Sequence, residues 1–327
     1  MERHCSTRKA EPKSKAPTGF SGRTLLFSPK VERKILFAMD FIGSIEDQRI
    51  RDLFRLALGS VMVSVSNYSY EPSLTRRSAV DKPEIHDAHV GFVLSAKLRL
   101  MLNDIEWMQN VLRDLPRIPR EEVIPASIFA AQEHLNKSEF VDLVVTSPPY
   151  LNNYHYPRNT RPQLHWLGFT SGTGYNGASE NESFGKFWQT VRSLPPVHLS
   201  FRHEEIEATI EILRSLNMQE GQYGGAGWAN YVTTYFNDTY RFCRSLAQLL
   251  KPSGTAAIVL GNSVIQGLEV KTDQFFGQIA ELCGLVFQET MVLRKKRTGS
   301  SIIQSSVRVE KAAVRVVLYE SAIVLRK

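Results

Sequence analysis

The chain has 327 residues, 43% of them hydrophobic and 22% charged, which is enough for one large or two modest domains around a real core. Its formal charge of +7 favours a polyanionic partner, and no apolar run reaches membrane-spanning length. The three cysteines, Cys5, Cys243 and Cys283, are too few and too scattered for a disulfide framework, and the polar, basic first residues lack the apolar stretch of a secretory signal, so a reducing cytoplasm is the expected setting.

Residues 1–26 read as a basic, disordered leader, since residues 1–30 hold seven Lys or Arg against two Glu. From Phe27 the pattern turns helical, with Ser28 as N-cap and Pro29 at the first helical position. Ile45, Arg49, Leu53, Leu56 and Ser60 mark one helix face, which Phe54, Leu58, Val61, Met62 and Val65 broaden. A polar loop is expected from Asn67 to Pro83, where Tyr68, Tyr70, Arg76 and Arg77 suit either a nucleic-acid surface or an ordinary loop. His86 and His89 are spaced for a metal on a helix, but nothing nearby completes a ligand set, and no metal is expected. Val90 to Leu112 reads as a long helix whose inner face is Val93, Leu94, Leu98, Met101, Ile105, Met108 and Leu112. The expected helical segment therefore covers 27–118.

Pro116 and Pro119 break that pattern, and Val123–Ile124 then looks like a short strand. Val141–Val145 is a β-branched run that reads as a buried strand, and it ends in Thr146–Ser147–Pro148–Pro149–Tyr150. Proline cannot donate to a ladder, so the sheet must stop there. Each proline also holds the residue before it extended. Residues 151–228 have weak periodicity and interleave Tyr154, His155, Arg158 and Arg161 with glycine and asparagine. After them, Tyr231, Tyr235, Asp238, Phe242, Leu246 and Leu249 fall at helical spacing, and Lys251–Gly254 forms a turn. Strands at Thr255–Leu260, Leu285–Leu293 and Ala322–Leu325 surround a helix at Asp273–Leu282. This rhythm indicates an α/β fold with a parallel sheet and an antiparallel edge.

The Ser-Pro-Pro-Tyr ending suits one chemistry. An exocyclic amine on a nucleobase is a poor nucleophile because its lone pair is conjugated with the ring. Two acceptors aimed at its hydrogens stabilise the positive charge that grows as it attacks. The Ser147 hydroxyl and the Pro148 carbonyl are candidates for those acceptors, and Tyr150 for a stacking platform under a base that has left the helix. The bland alternative is a proline-rich turn after a core strand.

Asp142–Tyr150 resembles motif IV of the S-adenosylmethionine-dependent DNA amino-methyltransferases. The Thr-Ser-Pro-Pro-Tyr form is most typical of the cytosine-N4 enzymes, although the division from adenine-N6 enzymes is not strict. Leu250–Gly254 with its following strand, and Glu320–Lys327, also resemble segments of that family. The resemblance implies catalytic roles for Thr146, Ser147, Pro148, Pro149 and Tyr150. The interleaved aromatic and basic residues Tyr154, His155, Arg158 and Arg161 after the turn, and the basic loop Arg294, Lys295, Lys296 and Arg297, are the candidates for DNA contacts. The resemblance further implies an incomplete Rossmann-like methyltransferase sheet over 119–327, with an antiparallel last strand and a substrate-recognition insertion at 151–228.

One part of the family pattern is missing. The glycine-rich turn that holds S-adenosylmethionine after the first strand is not visible. Gly221, Gly224, Gly225 and Gly227 form a glycine cluster, but it follows no strand. Asp142, Gly261 and Asn262 are weak cofactor candidates. The expectation is a catalytic C-terminal portion whose cofactor half comes from a second polypeptide; a remnant or a nucleic-acid-binding subunit without catalysis is the alternative. Cytosine or adenine, and DNA or RNA, stay open.

Overall fold

The computed structural model describes residues 11–17, 25–71, 73–116, 120–151, 156–170, 181–295 and 317–327. They fall into two compact units. The first comprises Met1–Glu122 with His155–Tyr175, and the second Val123–Tyr154 with Asn176–Lys327.

The first unit is helical. Helix α1 (Pro29–Gly43) starts where Ser28 accepts a hydrogen bond from the Val31 amide at 3.3 Å, with Pro29 at its first position. Helix α2 (Gln48–Val61) is capped by Asp47. Its buried face carries Leu58 and Val61 and continues to Met62 and Val65, while Leu56 and Ser60 turn to solvent. The inner face is thus mainly the broadening set of residues; of the Ile45–Ser60 stripe, Leu53 packs half-buried against the core. The expected polar loop after Asn67 contains a hairpin, β1 (Tyr68–Tyr70) and β2 (Leu74–Arg76), in antiparallel register. Buried Asn159 secures it by accepting from the Leu74 amide at 2.6 Å. Helix α3 (Val90–Arg113) buries Leu94 and Leu98, but Ile105 and Met108 are exposed, because no described residue of this unit covers its second half. Phe27 meets Trp166 edge-on at 5.0 Å in the core.

The second unit is a layered α/β structure. Its sheet is ordered β3-β4-β8-β7, from β3 (Val141–Thr146), β4 (Leu250–Gly261), β7 (Val286–Lys295) and β8 (Tyr319–Arg326). Strands β3 and β4 are parallel, and β8 runs antiparallel to both neighbours. The last strand is antiparallel, as the spacing indicates, yet it lies inside the sheet and leaves β7 at the edge. Short helix α4 (Trp188–Val191) and helix α5 (Glu204–Ser215) precede the long helix α6 (Gly225–Leu249), and α7 (Thr272–Leu282) follows a small hairpin of β5 (Ser263–Ile265) and β6 (Leu268–Val270).

One face of the sheet is covered. Ala256, Ile258 and Leu260 of β4 and Ile323 and Leu325 of β8 share it and are buried with Phe236, Phe242, Leu246, Phe276 and Ile279 of α6 and α7. The opposite face carries Leu143 and Val145 of β3, 60% and 69% exposed, with Met291 of β7 also exposed. The outer edge of β3 pairs with no described strand. Val123–Ile124 forms no strand, and Val123 is 91% exposed. A strand needs a ladder, and nothing described offers one there. Among the described residues no helix is long and apolar enough to cross a membrane.

Phe276 is fully buried and touches Phe242 at 5.9 Å between ring centroids. Phe276→Ala is expected to cost about 3–5 kcal/mol of unfolding free energy, read from the shift of the urea denaturation midpoint.

Candidate active site

The covered face and the parallel pair fix where the Ser-Pro-Pro-Tyr turn stands. The ladder of β3 ends at Thr146, opposite Ile258. Beyond it, the turn is gripped from behind. Fully buried Tyr235 of α6 donates its hydroxyl to the Pro149 carbonyl at 3.0 Å. Buried Ser263 donates to the Leu151 carbonyl at 2.7 Å. Burial pushes the Tyr235 hydroxyl far above the ordinary phenol value, so it remains a donor at any physiological pH.

The carbonyl just before the first of those grips is left over. Among the described residues nothing donates to the Pro148 oxygen, and the Ser147 side chain is exposed. The two acceptors expected from the sequence therefore stand at the carboxyl end of β3, uncommitted to the fold. The Ser147 hydroxyl lies 3.5 Å from the Tyr150 hydroxyl, which in turn donates to Glu320 at 3.3 Å. Glu320 also pairs with Arg294, its cross-strand partner on β7.

Glu320 is the residue that sequence reasoning missed. It is the second residue of β8, and its register partner on β4 is Gly261. A side chain on Gly261 would come within 2.2 Å of the Tyr319 carbonyl. The antiparallel register of the last strand is the signal that places Glu320 beside the turn.

A second group backs the turn from the insertion. Gly185, at φ 75, packs against Pro149 and Tyr235. Its amide donates to Asp238 at 3.0 Å, and Lys186 donates to the same carboxylate at 2.7 Å. Phe184 sits edge-on to Tyr235 and Phe242. Burial outweighs Lys186 and holds the Asp238 carboxyl above its ordinary value.

The remaining candidates are placed as follows. Arg294 is engaged by Glu320, and Lys295 ends β7 exposed. Arg158 and Arg161 belong to the first unit, on short helices at Tyr156–Asn159 and Arg161–Trp166. Tyr154, His155, Lys296 and Arg297 lie outside the described residues.

The described residues do not make a site for S-adenosylmethionine. Asp142 is bound by Lys251 at 2.8 Å near the amino end of β3, the wrong end of a parallel pair for a ligand. The missing side chain of Gly261 is required by the close approach of Tyr319. The Asn262 amide donates to Glu269 and Val317 and accepts from the Tyr319 amide. The glycine cluster opens α6 and is accounted for by packing. Added side chains would meet the Leu213 carbonyl at 2.0 Å from Gly225 and the Gln222 carbonyl at 2.0 Å from Gly227.

No family model matches the chain. The chain is 26% identical over 247 residues to the type II methyltransferase M.BsoBI of Geobacillus stearothermophilus. The match takes in 71% of this chain and 47% of that enzyme, so the chain spans about half the length of the curated relative it matches. The mixed sheet with helices on one face is consistent with a methyltransferase-like α/β fold.

Tyr235→Phe leaves the Pro149 carbonyl without its donor and is expected to destabilise the second unit by about 1–3 kcal/mol in urea denaturation. The raised Asp238 value gives a signed pH dependence. The folded chain binds that proton more tightly than the unfolded chain. Its stabilising contribution is full below 3.8 and fades as pH rises through the raised value. Asp238→Asn should flatten that stretch of the stability profile, measured by denaturation across a pH series.

Proposed function

We propose that the chain is the target-base portion of a DNA amino-methyltransferase of the restriction-modification kind, acting in the cytoplasm on the exocyclic amine of a flipped base. The supporting observation is the pair of uncommitted acceptors, the Ser147 hydroxyl and the Pro148 carbonyl, at the end of a parallel strand pair. On this reading the two acceptors take the amine hydrogens and Tyr150 stacks on the base. Glu320 holds the Tyr150 hydroxyl, so the ring keeps one orientation. Thr146 and Pro149 set the exit angle of the turn. Cytosine N4 is the proposed target atom, because the turn has the Thr-Ser-Pro-Pro-Tyr form; adenine N6 is the competing one, and RNA the competing polymer.

S-adenosylmethionine is the proposed methyl donor. Its binding residues are assigned outside the described ones, to a second polypeptide carrying the glycine turn and docking along β3. Arg158, Arg161, Lys295 and the undescribed Tyr154, His155, Lys296 and Arg297 are proposed to contact DNA. The poor fit of the described residues to the cofactor favours one other reading, a DNA-binding subunit without catalysis.

The test is methylation of DNA with labelled S-adenosylmethionine, by the chain alone and with a glycine-turn polypeptide added, followed by nucleoside analysis. The chain alone should bind the donor weakly and methylate nothing, and the addition should yield N4-methylcytosine. In the active mixture Ser147→Ala should lower turnover more than DNA affinity, because its hydrogen bond strengthens as charge develops. Tyr150→Ala should lose about 1–3 kcal/mol of base stacking. Equal activity of both variants and the wild type would remove the assignment of the turn, and methylation by the chain alone would remove the second polypeptide.

A further inference from the structure

We infer that Arg192 is a built phosphate site, which takes a phosphodiester of the DNA strand that carries the target base. The inference rests on the DNA reading above and goes beyond it, since nothing in the Ser-Pro-Pro-Tyr resemblance involves this residue.

The site is assembled by α4 and the first turn of α6. Arg192 follows the last residue of α4, and its amide donates to the Trp188 carbonyl at 3.0 Å. That turn folds the guanidinium back over the Trp188 ring, 4.6 Å from its centroid. Tyr223 flanks it at 4.4 Å. The two rings are 6.0 Å apart and inclined at 56°, an open wedge that the guanidinium fills. Trp228 stacks on the far side of the pair, 4.9 Å from Trp188 at 23°. A side chain at Gly227 would come within 3.0 Å of the Arg192 Cβ, so the glycine admits this approach.

Two rings hold the cation in place but do not satisfy it. Ring faces attract the positive charge and fix the plane; they accept little from the N–H groups on its edge. Arg214, Arg241 and Arg294 of the same unit each pair with a carboxylate, at Glu211, Asp238 and Glu320. No described residue accepts a hydrogen bond from the Arg192 guanidinium. Arg192 is half-buried, and Tyr223, at the mouth of the wedge, is 53% exposed. A planar cation with its fork unpaired and its rotamer already fixed matches the oxygens of a phosphodiester and loses little entropy on binding one.

Its position selects the polymer. Helix α6 runs directly into β4, so its first turn lies at the carboxyl end of the parallel pair. Tyr235 of that helix touches Pro149. Trp228 stands seven residues earlier, about 10 Å farther out along the helix axis. A base held at Ser147–Tyr150 stays attached to its backbone, and that backbone has to leave the site past this rim. Phosphate contacts of this kind position a strand and carry no sequence information.

The experiment measures binding of labelled duplex DNA to the whole chain by fluorescence anisotropy, from about 50 to 200 mM salt. Arg192→Gln should weaken binding about tenfold, equally for unrelated sequences, and make the log–log salt slope shallower by about 0.9, one phosphate contact. Arg192→Lys, which keeps the charge without the planar fork, should keep the slope. If Arg192→Gln fails to fold, Tyr223→Leu, which opens the wedge, should still lower affinity. Wild-type affinity and slope in folded Arg192→Gln overturn the site and leave the DNA reading intact. No wild-type binding even at low salt removes the DNA reading itself. Tryptophan quenching by inorganic phosphate that depends on Arg192, without competition by DNA, assigns the site to free phosphate and overturns the inference.

Discussion

Two prolines cannot donate hydrogen bonds, and the carboxyl end of this sheet is organised around that deficit. With Pro148 and Pro149 following Ser147, β3 has no amide with which to extend its ladder past Ile258. The chain must be held by other groups, and the fold supplies them from behind, through Tyr235 and Ser263. Those grips take the Pro149 and Leu151 carbonyls and leave that of Pro148 free. A turn made of ordinary residues would close on itself. Here Ser147 is exposed, and the carbonyl of buried Pro148 accepts from no described donor.

The same sheet is covered by described residues on one side only. A parallel pair is normally covered on both faces. The described helices α6 and α7 pack on one, as right-handed crossovers from β3 to β4 and from β4 to β7 would place them. On the other face Leu143, Val145 and Met291 are exposed, and no described strand pairs with the outer edge of β3. A strand added beyond β3, with the same handedness and the opposite direction of travel, would lay its helix on that bare face. One βα unit would thus cover both deficiencies. That about half of the relative is unmatched is compatible with this geometry.

Much of the second unit was legible in the sequence, since buried strands and a helix with Tyr231, Tyr235 and Phe242 on one face show simple periods. The first unit was less so. In α2 the apolar stripe was broad enough to hide which half faced inward, and in α3 periodicity continued past the point where a partner exists. Periodicity reports amphipathicity, while burial needs a second surface. The hairpin at Tyr68–Arg76 escaped because it is secured by Asn159, more than eighty residues away. Of the site, the turn was readable and its surroundings were not. Glu320, Asp238 and Arg192 are ordinary polar residues in sequence, and only register and packing bring the first two to the turn and hold Arg192 between aromatic rings.

The reversal of the last strand completes the site. Parallel strands deliver residues at their exits, so β3 gives Ser147–Tyr150 and β4 gives Gly261–Ser263. An antiparallel strand delivers its entry at the same end, which is why Tyr319 and Glu320 arrive there. Glu320 brings a negative charge, and Arg294 across the ladder neutralises it. The pair holds Tyr150 in place yet leaves no net attraction for a polyanion at the turn itself. On the proposed reading, attraction comes from cations that the fold has not paired, and at this end of the sheet the arginine beside Trp188 and Tyr223 meets that condition. On the same proposed reading, orientation of the base and capture of the strand thus fall to different side chains, one satisfied and one left with its donors open.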